Sequence, residues 1–204
     1  MHVLSILAAS AFFGITVWQL YIWAVEVRQK DNQYKAAVAR ARKARKPLLV
    51  AGGPWGSRRI RHWLKMSAHG GGDVCLDINR GAVGQHSCGV VADVAQIPFC
   101  DKAFGAAFTS HVLEHLPTIG HAKKALEELN RVADAVFIAH PSRQSIGAWL
   151  HPGHNLWIWQ NSGMVYVQAR SGSEEAPRDG MLPTILRRET AVVRLCYEDC
   201  ERCG

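Results

Sequence analysis

A glycine-rich turn set between two apolar runs constrains this chain more than any other feature. Residues 47–51, Pro-Leu-Leu-Val-Ala, lead into Gly52-Gly53-Pro54-Trp55-Gly56-Ser57, and a second apolar run, Val74-Cys75-Leu76, ends on Asp77 and Ile78. A glycine turn between a strand and a helix lets the backbone approach a ligand closely and points free N–H groups at it. An acid closing the next strand can accept hydrogen bonds from both hydroxyls of a ribose, and Asp77 follows Gly56 by 21 residues, near the ~20 expected of such an acid. Further apolar runs recur downstream, so strands are expected over 47–51, 73–77, 89–92, 106–109 and 135–139. Helices are expected over 57–66 and 122–132, with a short one over 144–150. Alternation of this kind predicts a parallel sheet wrapped by helices.

The order of these blocks, with Gly89-Val90-Val91-Ala92-Asp93-Val94-Ala95-Gln96-Ile97-Pro98-Phe99 and then Thr109-Ser110-His111-Val112-Leu113-Glu114-His115-Leu116, resembles the class I S-adenosylmethionine (SAM) dependent methyltransferases. The nearest branch is the small-molecule one of quinone and sterol methyltransferases, and the likeness spans about half of the chain. It implies an α/β, Rossmann-like methyltransferase sandwich with a mostly parallel sheet, and S-adenosyl-L-methionine as cofactor. It also implies that Gly52, Gly53, Gly56, Asp77, Ile78, Asp93, Val94 and Ser110 bind that cofactor. Asp93 would lie beside the adenine, and Ser110 and His111 would line the cleft after the fourth strand. Residues 163–169 and 190–197 would supply the final antiparallel pair of the sheet, joined by a polar loop over 171–183.

Four positions depart from the family pattern. Val50 stands where an acid usually precedes the glycine turn, and Pro54, which has no N–H, replaces a glycine. Phe104-Gly105 replaces a Phe-Asp pair, and Val132-Ala133-Asp134-Ala135 replaces a glycine pair before the fifth strand. The departures leave a second reading open, a non-catalytic relative kept as a membrane-tethered binding or assembly module.

Ahead of this domain, residues 3–25 carry no charge and only Gln19 as a strongly polar group. As a helix they would span about 35 Å at ~1.5 Å per residue, enough for a hydrocarbon core of ~30 Å. Trp18, Tyr21 and Trp23 sit where an aromatic belt forms. A cleavable signal would carry a basic n-region, which Met1-His2 lacks. The expectation is therefore a single-pass anchor over 1–27, a basic helical linker over 28–46 and the methyltransferase-like domain over 47–204.

The linker holds eight basic residues against Asp31, a net +7 that equals the formal charge of the whole chain. The basic pI therefore belongs to one segment beside the anchor. Such a segment places its side of the membrane in the cytoplasm and attracts anionic head groups, so the membrane is an expected partner and nucleic acid is not.

Cys75, Cys88 and Cys100 fall in or beside strands, as reduced thiols of a cytoplasmic domain do. Cys196, Cys200 and Cys203 have the C-x3-C-x2-C spacing of radical-SAM cluster ligands, but are read as a tail, with a metal clip left open. His111 and His115 are four residues apart, and His151 and His154 lie further on. The string around the first pair occurs in metal-free members of the resembled family, so no metal is expected. His111 is the candidate general base, since imidazole titrates near neutrality. Methyl transfer to a small, apolar or lipid-like acceptor follows from the anchor, which would hold the cleft beside the bilayer. Residues 146–159, with Trp149, Leu150, Leu156, Trp157 and Trp159, are either ordinary core and interface packing, the reading preferred, or an apolar acceptor wall.

Overall fold

The computed structural model describes residues 2–53, 72–84, 86–161, 164–170 and 190–194. Gly56, the helix expected over 57–66, the loop over 171–183 and the thiols Cys196, Cys200 and Cys203 lie outside the described residues.

The chain opens with one helix, α1 (His2–Ala44), 43 residues long. It runs unbroken through the boundary at 27 and 28 where anchor and linker were expected to meet. From Val3 to Trp23 most large apolar side chains are exposed, whereas Ala37 and Ala41 are fully or almost fully buried on the sheet. The basic stretch thus packs as a layer of the domain. Its small alanines let the helix approach closely, while Arg28, Lys35, Arg42 and Lys43 are exposed and Lys30 is buried.

Five strands follow: β1 (Leu48–Ala51), β2 (Val74–Asp77), β3 (Gly89–Val91), β4 (Ala106–Ser110) and β5 (Val136–Ala139). They form one parallel sheet in the order β3-β2-β1-β4-β5. The order reverses between β1 and β4, and ligands of such sheets settle at the carboxyl ends beside that point. Alternation along β1 divides the core. Leu49 and Ala51 join the cluster with Leu76, Leu126, Leu129 and Val136. Leu48 and Val50 face α1 with Ala37, Ala41, Ala106 and Phe108. Tyr34 of α1 meets Phe108 edge-on at 5.3 Å between ring centroids.

Helix α2 (Arg80–Val83) is a single capped turn after β2. Helix α3 (Ile119–Val132) starts where the Thr118 hydroxyl accepts from His121 N–H, and it buries Ala122, Ala125, Leu126, Leu129 and Val132, one stripe at helical spacing. A short helix, α4 (Ile146–Leu150), follows β5.

The expected final pair is found elsewhere than in the main sheet. β6 (Leu156–Asn161), β7 (Met164–Ala169) and β8 (Thr190–Arg194) form a separate antiparallel sheet in the order β6-β7-β8. Residues 156–159 belong to the stretch read as core packing in preference to an acceptor wall. Their apolar run, Leu156, Trp157 and Ile158, is buried and packs as core.

Three of the four departures have a common physical cause in α1. Val50 lies in the apolar layer under that helix, where a carboxylate would lose its hydration without a partner. A Cβ on Gly105 would come within 2.9 Å of Ala41 Cα and Ala44 Cβ, so glycine is what lets the end of α1 sit on the start of β4. Asp134 accepts from the Lys46 ammonium at 2.9 Å, tying the segment after α1 to the entry of β5.

Candidate functional site

The carboxyl ends of β1, β2 and β4 converge on the residues that the motifs single out. Gly52 has φ +97°, a left-handed conformation natural to glycine, and its N–H donates to the Leu76 carbonyl at 2.8 Å. A Cβ there would press on Val112 Cγ2 at 2.5 Å, and one on Gly53 would collide with Ala82. These glycines therefore serve the packing of the turn itself as well as any ligand. Gly53 N–H donates to Asp77 Oδ2 at 2.6 Å, and Asn79 N–H donates to Asp77 Oδ1 at 2.8 Å. The Asp77 carboxylate is thus held in place by two backbone donors. About four lone-pair sites belong to a carboxylate, so the described residues leave two for a ligand's hydroxyls.

Asp93 closes its own turn, its Oδ1 accepting from Ala95 N–H at 2.8 Å and its carbonyl from Gln96 N–H. The Val94 side chain is buried in the core. Ile78 is different, a large apolar side chain 73% exposed directly after Asp77. Ser110 Oγ is buried and has no hydrogen-bond partner among the described residues. An apolar exposed face beside a carboxylate with spare lone pairs, near an unsatisfied hydroxyl, fits an adenosine group. Asp77, Ile78 and Ser110 would hold it.

The other side of the cleft is built by β4, β5 and α1. His111 leaves β4 at φ +54°, and its N–H still donates to the Ala139 carbonyl of β5 at 3.1 Å. Its Nδ1 lies 3.1 Å from Glu114 Oε1. Burial works to raise the Glu114 carboxyl, but the hydrogen bond and charge of His111 outweigh it and hold the group below its ordinary value. An ionised Glu114 only accepts, so His111 Nδ1 carries a proton, and in the neutral ring Nε2 is a lone pair able to take one. Glu114 is almost wholly enclosed, while the His111 side chain remains 40% exposed.

That histidine borders a cavity of about 390 Å³ whose wall includes Glu26, Gln29 and Lys30 of α1, with His140 and Trp159. Desolvation pushes the His140 imidazole below its ordinary value, with smaller effects of either sign from the Pro141 carbonyl, Glu114 and His111. The pairing of His111 with Glu114 was not read from the sequence, although their three-residue spacing is a signal for it. The contribution of α1 to the cavity had no signal in sequence.

His111 and His115 do not converge. His115 Nδ1 lies 2.8 Å from the Gly153 carbonyl, and its ring meets those of His151 and His154 with centroids 5.3 Å and 4.8 Å away.

Residues 58–135 match the family model of a methyltransferase domain. Over that stretch, and in its five-stranded parallel sheet, the chain is similar to a class I methyltransferase domain. Domains of this class use S-adenosylmethionine, in keeping with the adenosine-compatible groups at the ends of β2 and β4. No curated protein matches the chain in sequence. Among solved structures it is similar to a protein from Pyrococcus horikoshii, at 13% identity and a TM-score of 0.40 over 82% of this chain and 75% of that one. It is also similar to an S-adenosylmethionine-dependent methyltransferase from Clostridium acetobutylicum, at 12% identity and a TM-score of 0.36 over 74% of this chain and 67% of that one.

Proposed function

We propose that this methyltransferase works at a membrane surface and methylates an amphiphilic, lipid-like acceptor through that acceptor's polar end. The observation that carries this reading is the position of the cavity. Glu26, Gln29 and Lys30 lie on the first turns of α1 after the apolar stretch, and the cavity they border also contains His111. If residues 3–25 span a bilayer, this cavity opens at head-group level, and the polar α1 wall suits a polar head more than a hydrocarbon chain.

The contacts of Gln19 support the membrane reading. The one strongly polar side chain of the apolar stretch donates to the Gln144 carbonyl at 3.1 Å and accepts from Ile146 N–H at 2.8 Å. Those bonds hold α4 against α1, and Ile146, Trp149 and Leu150 are exposed, as are Trp18, Tyr21 and Trp23. The stretch from Val3 to Trp18 reaches only about 24 Å at ~1.5 Å per residue, short of a ~30 Å hydrocarbon core. A spanning α1 would therefore bring α4 to the bilayer edge, where its tryptophan and aliphatic side chains suit the interface. The basic residues that follow would keep the domain on the cytoplasmic side.

SAM supplies an activated methyl group. The chain's own work is then to bind the nucleoside through Asp77, Ile78 and Ser110, to align the acceptor, and to exclude water. His111 Nε2 would take the proton that the acceptor's hydroxyl or amine loses, and Glu114 would stabilise the resulting imidazolium. Full-length protein in nanodiscs of anionic lipid, given SAM labelled in its methyl group and a total membrane lipid extract, should move label into the organic phase. Label transferred only to water-soluble acceptors would overturn the lipid assignment. Absence of S-adenosylhomocysteine binding by folded protein would instead favour the non-catalytic reading.

A further inference from the structure

We infer that His115, His151 and His154 form a binding site for a divalent late first-row metal ion, Zn²⁺ foremost, that locks the segment after α4 onto the turn carrying Glu114. One ring nitrogen from each lies within 4.8 Å of the others. Three imidazoles without a carboxylate or thiolate are a donor set suited to zinc, copper or nickel rather than to magnesium or calcium. Three protein ligands also leave a fourth position of a tetrahedral ion for water or substrate.

The surroundings resemble those of a ligand set more than a chance gathering of rings. Metal-binding histidines usually donate their second ring N–H to a carbonyl or carboxylate, which fixes the tautomer and frees the other nitrogen. His115 Nδ1 sits 2.8 Å from the Gly153 carbonyl, and His154 Nδ1 sits 3.2 Å from the Ala148 carbonyl. Both therefore present Nε2 as a lone pair. His151 differs, its Nδ1 accepting from Gly153 N–H at 3.1 Å. It would offer that nitrogen by giving up the bond, and as an exposed side chain it can turn to do so. Its ring now stacks on His154 at 4.4 Å, and Zn–N bonds of about 2.0–2.1 Å require the three rings to close by roughly 1 Å.

The loop is already held for that closure. Arg170 donates to the carbonyls of Ala148, Trp149, His151 and His154, gathering the segment around one guanidinium. Asn155 donates from its backbone to the Glu114 carbonyl at 2.8 Å and from its side chain to the His115 carbonyl at 3.1 Å. A Cβ at Gly153 would sit 3.2 Å from His151 Cε1 and 3.4 Å from His115 Nδ1, so the glycine keeps room among the rings. A metal here would join the backbone of 151–154 to the residue next to Glu114 and stiffen one wall of the site. The inference is independent of the acceptor.

The test uses full-length protein in detergent, freed of any histidine tag, titrated with Zn²⁺ against a chromophoric chelator, and with Co²⁺ for its spectrum. We expect one equivalent per chain, a Co²⁺ spectrum without a thiolate charge-transfer band, and a rise in Tm on loading. His151→Ala should weaken binding at least tenfold while leaving the unloaded protein folded by circular dichroism, and His154→Ala should do the same. A variant with Cys196, Cys200 and Cys203 all changed to Ser should bind as the parent does. Failure to compete with the chelator would overturn the inference, as would binding lost with the three thiols and unmoved by the histidine variants.

Discussion

The two sides of the cleft were built by different means. The cofactor side consists of short turns at the ends of β1 and β2, closed by backbone bonds to Asp77 within about two dozen residues of sequence. The proposed acceptor side gathers α1, the end of β4, His140 after β5, and Trp159 of β6, groups drawn from both ends of the chain. A local turn carries its own instructions, so its residue types are constrained one by one. A wall assembled from distant elements needs only the right volume and polarity, and many sequences supply that.

Exchanging the damage between the two sides tests this division most severely. His111→Asn keeps a residue that tolerates the left-handed conformation at this position but removes the base, so kcat should fall by roughly 10²- to 10⁴-fold with SAM affinity unchanged. Asp77→Ala should do the reverse, weakening SAM binding about ten- to a hundredfold, because charge-assisted bonds are worth ~1.5–3 kcal/mol. Isothermal titration and single-turnover rates would read the two effects separately. If each variant moved both quantities alike, the sides would not be independent.

A smaller effect would sharpen the role of α1. Gly105→Ala puts a methyl group against Ala41 and Ala44 and should destabilise the domain by about 1–3 kcal/mol in chemical unfolding. Protease sensitivity near residues 41–47 should rise with it. An unchanged unfolding midpoint would mean that α1 yields easily and that the departure at Gly105 has another cause.

The smallest effect is one of pH. His140 has a folded pKa below its ordinary 6.5, so the unfolded chain takes up the proton first as pH falls. Its contribution to stability is complete above about pH 6.5 and is lost as pH falls toward the folded value. Tm should therefore drop between pH 7.5 and 5.5, and His140→Gln should flatten part of that slope. Burial raises the Glu26 carboxyl in the same cavity and lowers the His154 imidazole outside it, so a residual slope has both groups as sources.

What the sequence determined by itself is the parallel sheet and its cofactor edge. The ends of β1 to β5 fall within about a residue of the apolar runs, because a buried strand needs an unbroken apolar stretch and its turn needs glycine or an acid. The place of Asp77 and Ile78 at the end of β2 was legible for the same local reason. That of Val94 was not, because the same motif that points to a ligand also places a valine in the core. Only the tertiary structure decided that the basic segment is a layer of the domain and that the last strands form their own sheet. It also decided that His115 turns away from His111 toward His151 and His154. Charge pattern reports what a helix shows to solvent, while its alanines, silent in such a reading, decide how closely it can pack. Register between distant segments depends on which surfaces fit once the core has closed, and no spacing along the chain records that.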